Sequence, residues 1–473
     1  MTKYSETPKC SDGEERTHKR RQERKLTTIF GTVIVRRIGY GQRKIVSLNP
    51  LDAELNLPVE QYSYGLRERV ASEVALNGFN ETVEAIKKTT NAQIPKRQVQ
   101  ELAYSSASDF DEFYKNRQVD KTQLNKSEQT GDILVISADG KGVTMRTEDL
   151  RPETQKRAQT NHKKLDKRLT KGEKRNSKRM ATVAEVYTVK PFERTAEQIV
   201  SSDEETDLKR PKPEDKRVWA SLIDEPKSVI GSAFDEALHR DPNKEKQWVA
   251  LVDGNKTQLE LLNHFARKHS VHLTIILDII HVIEYLWKAA FAFHSSTSKE
   301  AENWVNERLL HILQGKSSLV ASGMRRSEKL RAGVPPVEQT FQDSATLQKL
   351  SAEQRISVDK CANYLLNNKK YLKYDCYLSA GFPIATGVIE GACRHLVNSR
   401  MDITGARWSL QGAEAVLRLR SLHISGDWHE YWRFHLRQEY KRNYLPLYRN
   451  IPLMKRVQQA RCSTTPPPLA MVV

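Results

Sequence analysis

"DILVISADGKGVTM", residues 132–145, decides how the middle of this chain is read. It is a short apolar run that carries an acidic dipeptide, Asp139-Gly140, within it or at its end, and it reads as a β-strand. "KQWVALVDGN" (246–255) repeats that grammar and ends on Asp253-Gly254. Between them, "KRMATVAEVYTV" (178–189) and "RVWASLI" (217–223) also read as strands. Helical patterns follow in "PKSVIGSAFDEALHR", "KTQLELLNHFARKHS" and "DIIHVIEYLWKAAFAFH", with a further short strand "VHLTIIL" before the last. The order is β-β-β-α-β-α-β-α. Three strands in a meander, then strands alternating with helices, predict a mixed α/β sheet with helices on both faces.

Working outward, residues 1–26 are polar and strongly basic and predict a disordered basic arm. Residues 27–63 hold "TTIFGTVIVRRIGYGQRKIVSL", which predicts a β-hairpin turning at Gly39-Tyr40-Gly41. From 64 to 130 the period becomes helical. The turn around "NAQI" and Pro95, suited to a first helical turn, fit a helix-turn-helix-like DNA-binding region. A plain helical bundle fits the same pattern. The core segment spans 131–294 and contains a basic stretch, 146–179, expected to be a solvated arm that contacts phosphates. Residues 295–380 read as an α-helical insertion, 381–445 as the second part of the core, and 446–473 as a tail.

The chain has 473 residues and a formal net charge of +18, which favours a polyanionic partner. Its most apolar stretch, 271–294, carries Asp278, His281, Glu284 and Lys288, so no membrane span is expected. Cysteines stand at 10, 361, 376, 393 and 462, with no CxxC pair, a spacing that suits neither a zinc site nor a disulfide framework. With no apolar leader at the N-terminus, a cytoplasmic location is expected.

Asp139, Asp253 and Glu390 are the candidate catalytic carboxylates. Each has an ordinary alternative. Asp-Gly is a favoured turn dipeptide. Glu390, in "TGVIEGACRHLVNSRM", can support a helix N-terminus or pair with Arg394 one turn on. Ile389, Ala392, Cys393, Leu396 and Val397 follow a helical stripe and predict the buried face, with Glu390 at its edge. If the first and fourth strands are neighbours, Asp139 and Asp253 face one spot beyond strand ends. First strand, fourth strand and a later helix make the ribonuclease-H-like layout, which serves two-metal phosphoryl transfer with Mg²⁺. Asp278, closing the fifth strand, is the rival for the second position, and His281 shares its helix face.

With these residues in place, the chain resembles bacterial insertion-sequence transposases of the DDE class, of the Kra type related to Mutator-like elements. The resemblance rests on "SADGKGVTMR", "GEKRNSKRMATVAEVY", "LVDGNK", "LDIIHVIEYLWKAA", "GVIEGACRHLVNSRMDITGARWSLQGAEAVLRLR" and "GDWHEYWRFH", and spans about residues 132–435. It implies Asp139, Asp253 and Glu390 as a triad for two Mg²⁺ ions, with Mn²⁺ able to substitute. Asp278 and His281, matching a [C/D]xxH motif, are implied as accessory residues, and Arg394 is placed beside them. The expected partners are double-stranded DNA, at element ends and target, and at least one further copy of the chain. The expected activity is DNA strand cleavage followed by 3′-OH strand transfer. Candidate DNA contacts are Lys96, Arg97, Gln98, Lys141, Lys163, Lys164, Lys174, Arg175, Lys178, Arg179, and Arg407 with Trp408, the last by base stacking, against which a core Trp beside a surface Arg fits equally well. The alternatives are a basic nucleic-acid-binding protein without chemistry, or a host nuclease on the same fold.

Overall fold

The structure is a computed structural model that describes residues 11, 13–117, 130–160, 175–200, 210–331, 350–403 and 405–448. They fall into two compact units: residues up to Arg117 together with those from Gln411 onward, and the stretch between.

The first unit opens on an antiparallel sheet of β1 (His18–Thr28), β2 (Gly31–Gln42) and β3 (Ile45–Leu48). This corrects the disordered arm from His18 onward. Polar as β1 is, it pairs with β2 along its whole length, from His18↔Gly41 to Thr28↔Gly31, and Arg24 is fixed by an ion pair to buried Asp52. The turn expected at Gly39-Tyr40-Gly41 is also corrected. Those residues lie inside β2, where Tyr40 is buried with Leu48 and Ala53. The chain reverses at Ile29-Phe30 and again at Arg43-Lys44.

Helix α1 (Pro50–Glu54) leads to α2 (Tyr64–Leu76), α3 (Phe79–Thr89), α4 (Lys96–Ser106) and α5 (Phe110–Arg117). Ser63 caps α2 by accepting from Leu66 N–H, and Val70, Ala71, Val74 and Ala75 form its buried stripe. Pro95 is the N-cap of α4, one position before the expected first turn. The α3–α4 connection runs from residue 90 to 95, longer than the three or four residues of a DNA-binding helix-turn-helix.

In the second unit β4 (Ile133–Thr144) is followed by α6 (Pro152–Thr160), β5 (Lys178–Val189), α7 (Ala196–Val200) and β6 (Glu214–Ser221). Next come α8 (Pro226–Arg240), β7 (Gln247–Val252), α9 (Lys256–Lys268), β8 (Leu273–Leu277) and α10 (Ile279–Ala290). The five strands form one mixed sheet in the order β6-β5-β4-β7-β8. β6, β5 and β4 are antiparallel neighbours, and β4, β7 and β8 are parallel. The middle of the chain therefore has the mixed α/β layout expected of it. The basic stretch 146–179 is more structured than an arm at both ends. Residues 152–160 form α6, which buries no side chain, and Lys178-Arg179 open β5.

The described part of 295–380 holds α11 (Lys299–Leu313), α12 (Ser317–Arg331), α13 (Ala352–Asn367) and α14 (Tyr374–Ser379), with no strand among the described residues. Helix α15 (Gly387–Ala392) continues through a π-helical segment, Cys393–Asn398, to Met401.

The remaining helices, α16 (Leu410–Ile424), α17 (Trp428–Asn443) and α18 (Leu445–Tyr448), correct the expectation that 381–445 forms one piece of the core. From Gln411 on they belong to the first unit. The cause is polar and aromatic: Tyr431 Oη donates to Ser106 O at 2.6 Å, Asp109 pairs with His435 and Arg442, and Phe113 packs edge-on against Tyr431. The expected tail is likewise structured as far as Tyr448, whose ring is buried beside Tyr444. Among the described residues no helix is long and apolar enough to cross a membrane.

Candidate functional site

The β4–β7 pairing builds the site. Ser137 on β4 is in parallel register with Leu251 on β7. Asp139 and Asp253 each come two residues later, at equivalent positions on strands that run about 4.8 Å apart. The two acidic dipeptides differ locally. Asp139-Gly140 is not a turn, because β4 continues to Thr144 against β5, with Asp139 opposite Val183. Asp253-Gly254 is a turn. Gly254 takes φ +91°, Asp253 Oδ1 accepts from Asn255 N–H at 2.8 Å, and Asn255 then caps α9.

Both aspartates line one cleft of about 290 Å³, with Lys141, His281, Glu390 and Arg394 among its other walls. The stripe read from the sequence holds: Ile389, Ala392, Cys393, Leu396 and Val397 are buried. Glu390 itself is exposed rather than at the edge of the core, and among the described residues no ion pair joins it to Arg394. The π-helical segment begins three residues after Glu390 and widens the helix there. Cys393, Arg394 and Asn398 all line the cleft with Glu390.

Asp278 is held differently. It is fully buried, and four donors occupy its two oxygens. Oδ1 accepts from Ile280 N–H (3.1 Å) and Thr386 N–H (3.0 Å). Oδ2 accepts from Thr386 Oγ1 (2.6 Å) and pairs with His281 Nδ1 (2.8 Å). The carboxyl stays below its usual range despite burial, because the bonds from His281 and Thr386 favour the anion. His281 is raised in turn, chiefly by its bond to Asp278. A carboxylate so enclosed has no free face for a cation. It ties the end of β8 to Thr386, the residue before Glu390's helix, and aims the imidazole into the cleft.

Several residues with a part here are not marked out by the sequence. Cys393 Sγ donates to Asp139 Oδ2 at 3.2 Å. Tyr364, on α13, stacks on Tyr285 with ring centroids 4.2 Å apart, and its hydroxyl donates to Asp253 O at 3.2 Å. Glu185 on β5, opposite Ser137, is fully buried with neither carboxyl oxygen bonded, and burial pushes its pKa up to about 8. A hydroxyl or thiol on an apolar helix face carries no sequence signal of its own. Glu185, inside an otherwise apolar strand, is visible as a charge in a buried position.

The candidate DNA contacts divide. Lys96, Arg97, Arg175, Lys178 and Arg407 are exposed, while Gln98 and Lys141 are half-buried. Arg97 is paired with Glu101. Arg179 donates to the carbonyls of Leu222 and Asp149, so its guanidinium serves the sheet. Base stacking by Trp408 is corrected. Its ring is buried under Arg400, its Nε1 donates to Met401 O, and its backbone pairs with Thr144 and Arg146. Lys163, Lys164 and Lys174 lie outside the described residues.

Three carboxylates face the cleft, the donors a hard divalent cation takes, while the two softer-donor residues there are engaged, His281 through Nδ1 on Asp278 and Cys393 through its thiol on Asp139. Among the described residues, no three or more His, Cys, Asp or Glu side chains are drawn together closely enough to hold a metal ion as they stand. The chemistry of the carboxylate donors suits a hard divalent cation, and their spacing in this structure does not gather them around one.

No family model and no curated protein matches this chain. Among solved structures, one match is the Drosophila P element transposase strand transfer complex, at 8% identity over 80% of each chain. Its TM-score is 0.26, a likeness too slight to carry weight.

Proposed function

We propose that this chain is a DDE transposase that cuts DNA at the ends of its own element and joins the freed 3′-OH to target DNA. We take its core as ribonuclease-H-like, a reading supported by the first and fourth strands, β4 and β7, lying side by side and by the later helix that carries Glu390. The single observation that carries the reading is the register of Asp139 and Asp253 on neighbouring parallel strands, with Glu390 from a later helix on the same cleft. Pure binding has no use for three carboxylates facing a polyanion, since each repels phosphate.

In cleavage a water oxygen attacks the scissile phosphorus and the 3′ oxygen leaves. In joining, that 3′-OH attacks a target phosphorus and a target 3′ oxygen leaves. Two bound Mg²⁺ ions, held by Asp139, Asp253 and Glu390, would supply activation of the attacking oxygen and neutralisation of the phosphorane charge. The chain's own contribution is placement. Cys393 orients the Asp139 carboxylate, Tyr364 fixes the Asp253 backbone, and Asp278 fixes both His281 and the start of Glu390's helix. Lys141 and Arg394 bring positive charge to the cleft walls. His281, with Nδ1 on Asp278, is placed to exchange a proton with the cleft.

The test incubates purified chain and Mg²⁺ with duplexes that carry whatever inverted repeats flank its gene. Nicks at the repeat termini that vanish in Asp139→Asn, Asp253→Asn and Glu390→Gln support the reading. Cleavage surviving in those variants overturns the triad. A second reading, a nucleic-acid-binding protein without chemistry, rests on the formal net charge of +18. It requires that Mn²⁺ affinity be unchanged by the same three substitutions.

A further inference from the structure

The hairpin between β1 and β2 presents "IFGTVI", residues 29–34, four of whose six side chains are large and apolar. All four are exposed: Ile29 36%, Phe30 83%, Val33 45% and Ile34 53%. Single exposed apolar residues are ordinary, but a contiguous group on one projecting end is not.

The tip is also rigid. Phe30 N–H donates to Thr28 Oγ1, which donates to Gly31 O. Ile29 O accepts from Asn91 N–H at 3.0 Å, and Thr27 bonds through both backbone groups to Gln61 and Ser63. Gly31 takes φ +110°, which only glycine adopts readily. The backbone is thus fastened on both sides while the ring stands in solvent.

Its surroundings are cationic. Asn91, which fastens the tip, lies in the connection between α3 and α4. That connection is preceded by exposed Lys87 and Lys88 and followed by exposed Lys96 and Arg97. β1 adds exposed Lys25 close to the tip, while its exposed Lys19, Arg20 and Arg21 lie towards the far end of the strand. A second copy of this chain docking here would bring the same positive charges against these. A polyanion with apolar faces meets both features.

We propose that Phe30 packs its ring against the face of a nucleobase while the flanking lysines and arginines hold the phosphates. This inference rests on the DNA-binding reading and adds to it a residue and a mode of contact. The base face is offered by an unpaired nucleotide at a DNA end or by an opened step within a duplex.

The test measures binding of the full chain to three fluorescent 30-mers: blunt duplex, duplex with a four-nucleotide 3′ overhang, and single strand, each with 2-aminopurine near one end. Phe30→Ala is expected to weaken binding by about 5- to 150-fold, the loss that removing one base–aromatic stack produces. It should leave the salt dependence of binding unchanged, because no phosphate contact is removed. Phe30→Trp should restore affinity and quench 2-aminopurine. Lys96→Ala should instead lower the salt slope by about one unit. A loss confined to overhang and single strand assigns the unpaired base, and a loss on blunt duplex assigns the opened step. Wild-type affinity in Phe30→Ala overturns this inference alone. Absence of DNA binding by the wild type overturns the DNA reading with it. Self-association abolished by Phe30→Ala, with DNA affinity unchanged, assigns the tip to a second copy and overturns the proposal.

Discussion

Cys393 donates its thiol proton to Asp139 Oδ2 at 3.2 Å, from the helix that carries Glu390 to the strand at the centre of the sheet. Burial, and then the neighbouring carboxylate, push the thiol well above its ordinary pKa. Iodoacetamide at pH 8 should therefore leave Cys393 unmodified in the folded chain while exposed Cys376 reacts, as read by peptide mass spectrometry. Equal labelling of the two would show that the thiol is not held on Asp139. Cys393→Ser should keep the bond and the activity. Cys393→Val, of similar size with no donor, should lower cleavage by about 10-fold without a large loss of stability, as expected for a residue that orients another.

Asp278 makes a contrasting case, because its four bonds make it a structural and a positioning residue at once. Asp278→Ala strands the N–H groups of Ile280 and Thr386 and should cost about 2–4 kcal/mol in urea unfolding. Asp278→Asn keeps the shape and removes the charge. In that variant the His281 imidazole should titrate lower than in the wild type, since its upward shift comes chiefly from the Asp278 bond. NMR of the His281 ring across pH 5–8 reads this directly. An unmoved titration would mean that Asp278 does not set the proton on His281.

How much residues alone reveal depends on which interactions are local. The five strands of the second unit announce themselves through short apolar runs, and Asp139 and Asp253 through their place after Ile136 and Val252. That β4 lies beside β7 is a long-range fact, and the register Ser137↔Leu251 is fixed only by the packed sheet. The turn expected at Gly39-Tyr40-Gly41 treats glycine as punctuation, whereas Gly39 sits against the side chain of Gln22 across the strand pair. Trp408 looks available in sequence because its partners, Arg400 and the Thr144–Arg146 strand end, are remote or on another turn. Helices α16–α18 are legible as helices, but nothing in their pattern says that Asp109 lies opposite His435 and Arg442.

Glu185 gives a pH prediction for the second unit. Its folded pKa of about 8 stands above the ordinary 4.5, so the folded chain keeps a proton that the unfolded chain releases. Its contribution to stability is undiminished below about pH 4.5 and is lost as pH rises towards 8. Glu185→Gln holds an uncharged group throughout. It should be the more stable protein at pH 8, by about 2–4 kcal/mol, and indistinguishable at pH 4.5. Urea midpoints at the two pH values test it. A difference that does not grow with pH would show that the carboxyl finds a partner in solution.

The first unit should fail in acid for the opposite reason. Asp109 is buried, with Oδ2 on His435 Nδ1 at 2.6 Å and both oxygens on Arg442 at 2.7 and 2.9 Å. Those bonds outweigh its desolvation and lower its pKa to about 2. For a depressed carboxyl the stabilisation is complete above the unfolded value of 3.8 and is lost as pH falls through that value towards 2. The shift corresponds to about 2 kcal/mol. Asp109→Asn removes it at every pH and leaves the Arg442 guanidinium without a carboxylate there. Hydrogen exchange in the full chain should then quicken over α5 and α17 at pH 7, with β4 and β7 unaffected. In the wild type the same two helices should lose protection first as pH is lowered from 4 to 2. Uniform loss across both units would show that the Asp109 cluster does not govern where acid unfolding begins.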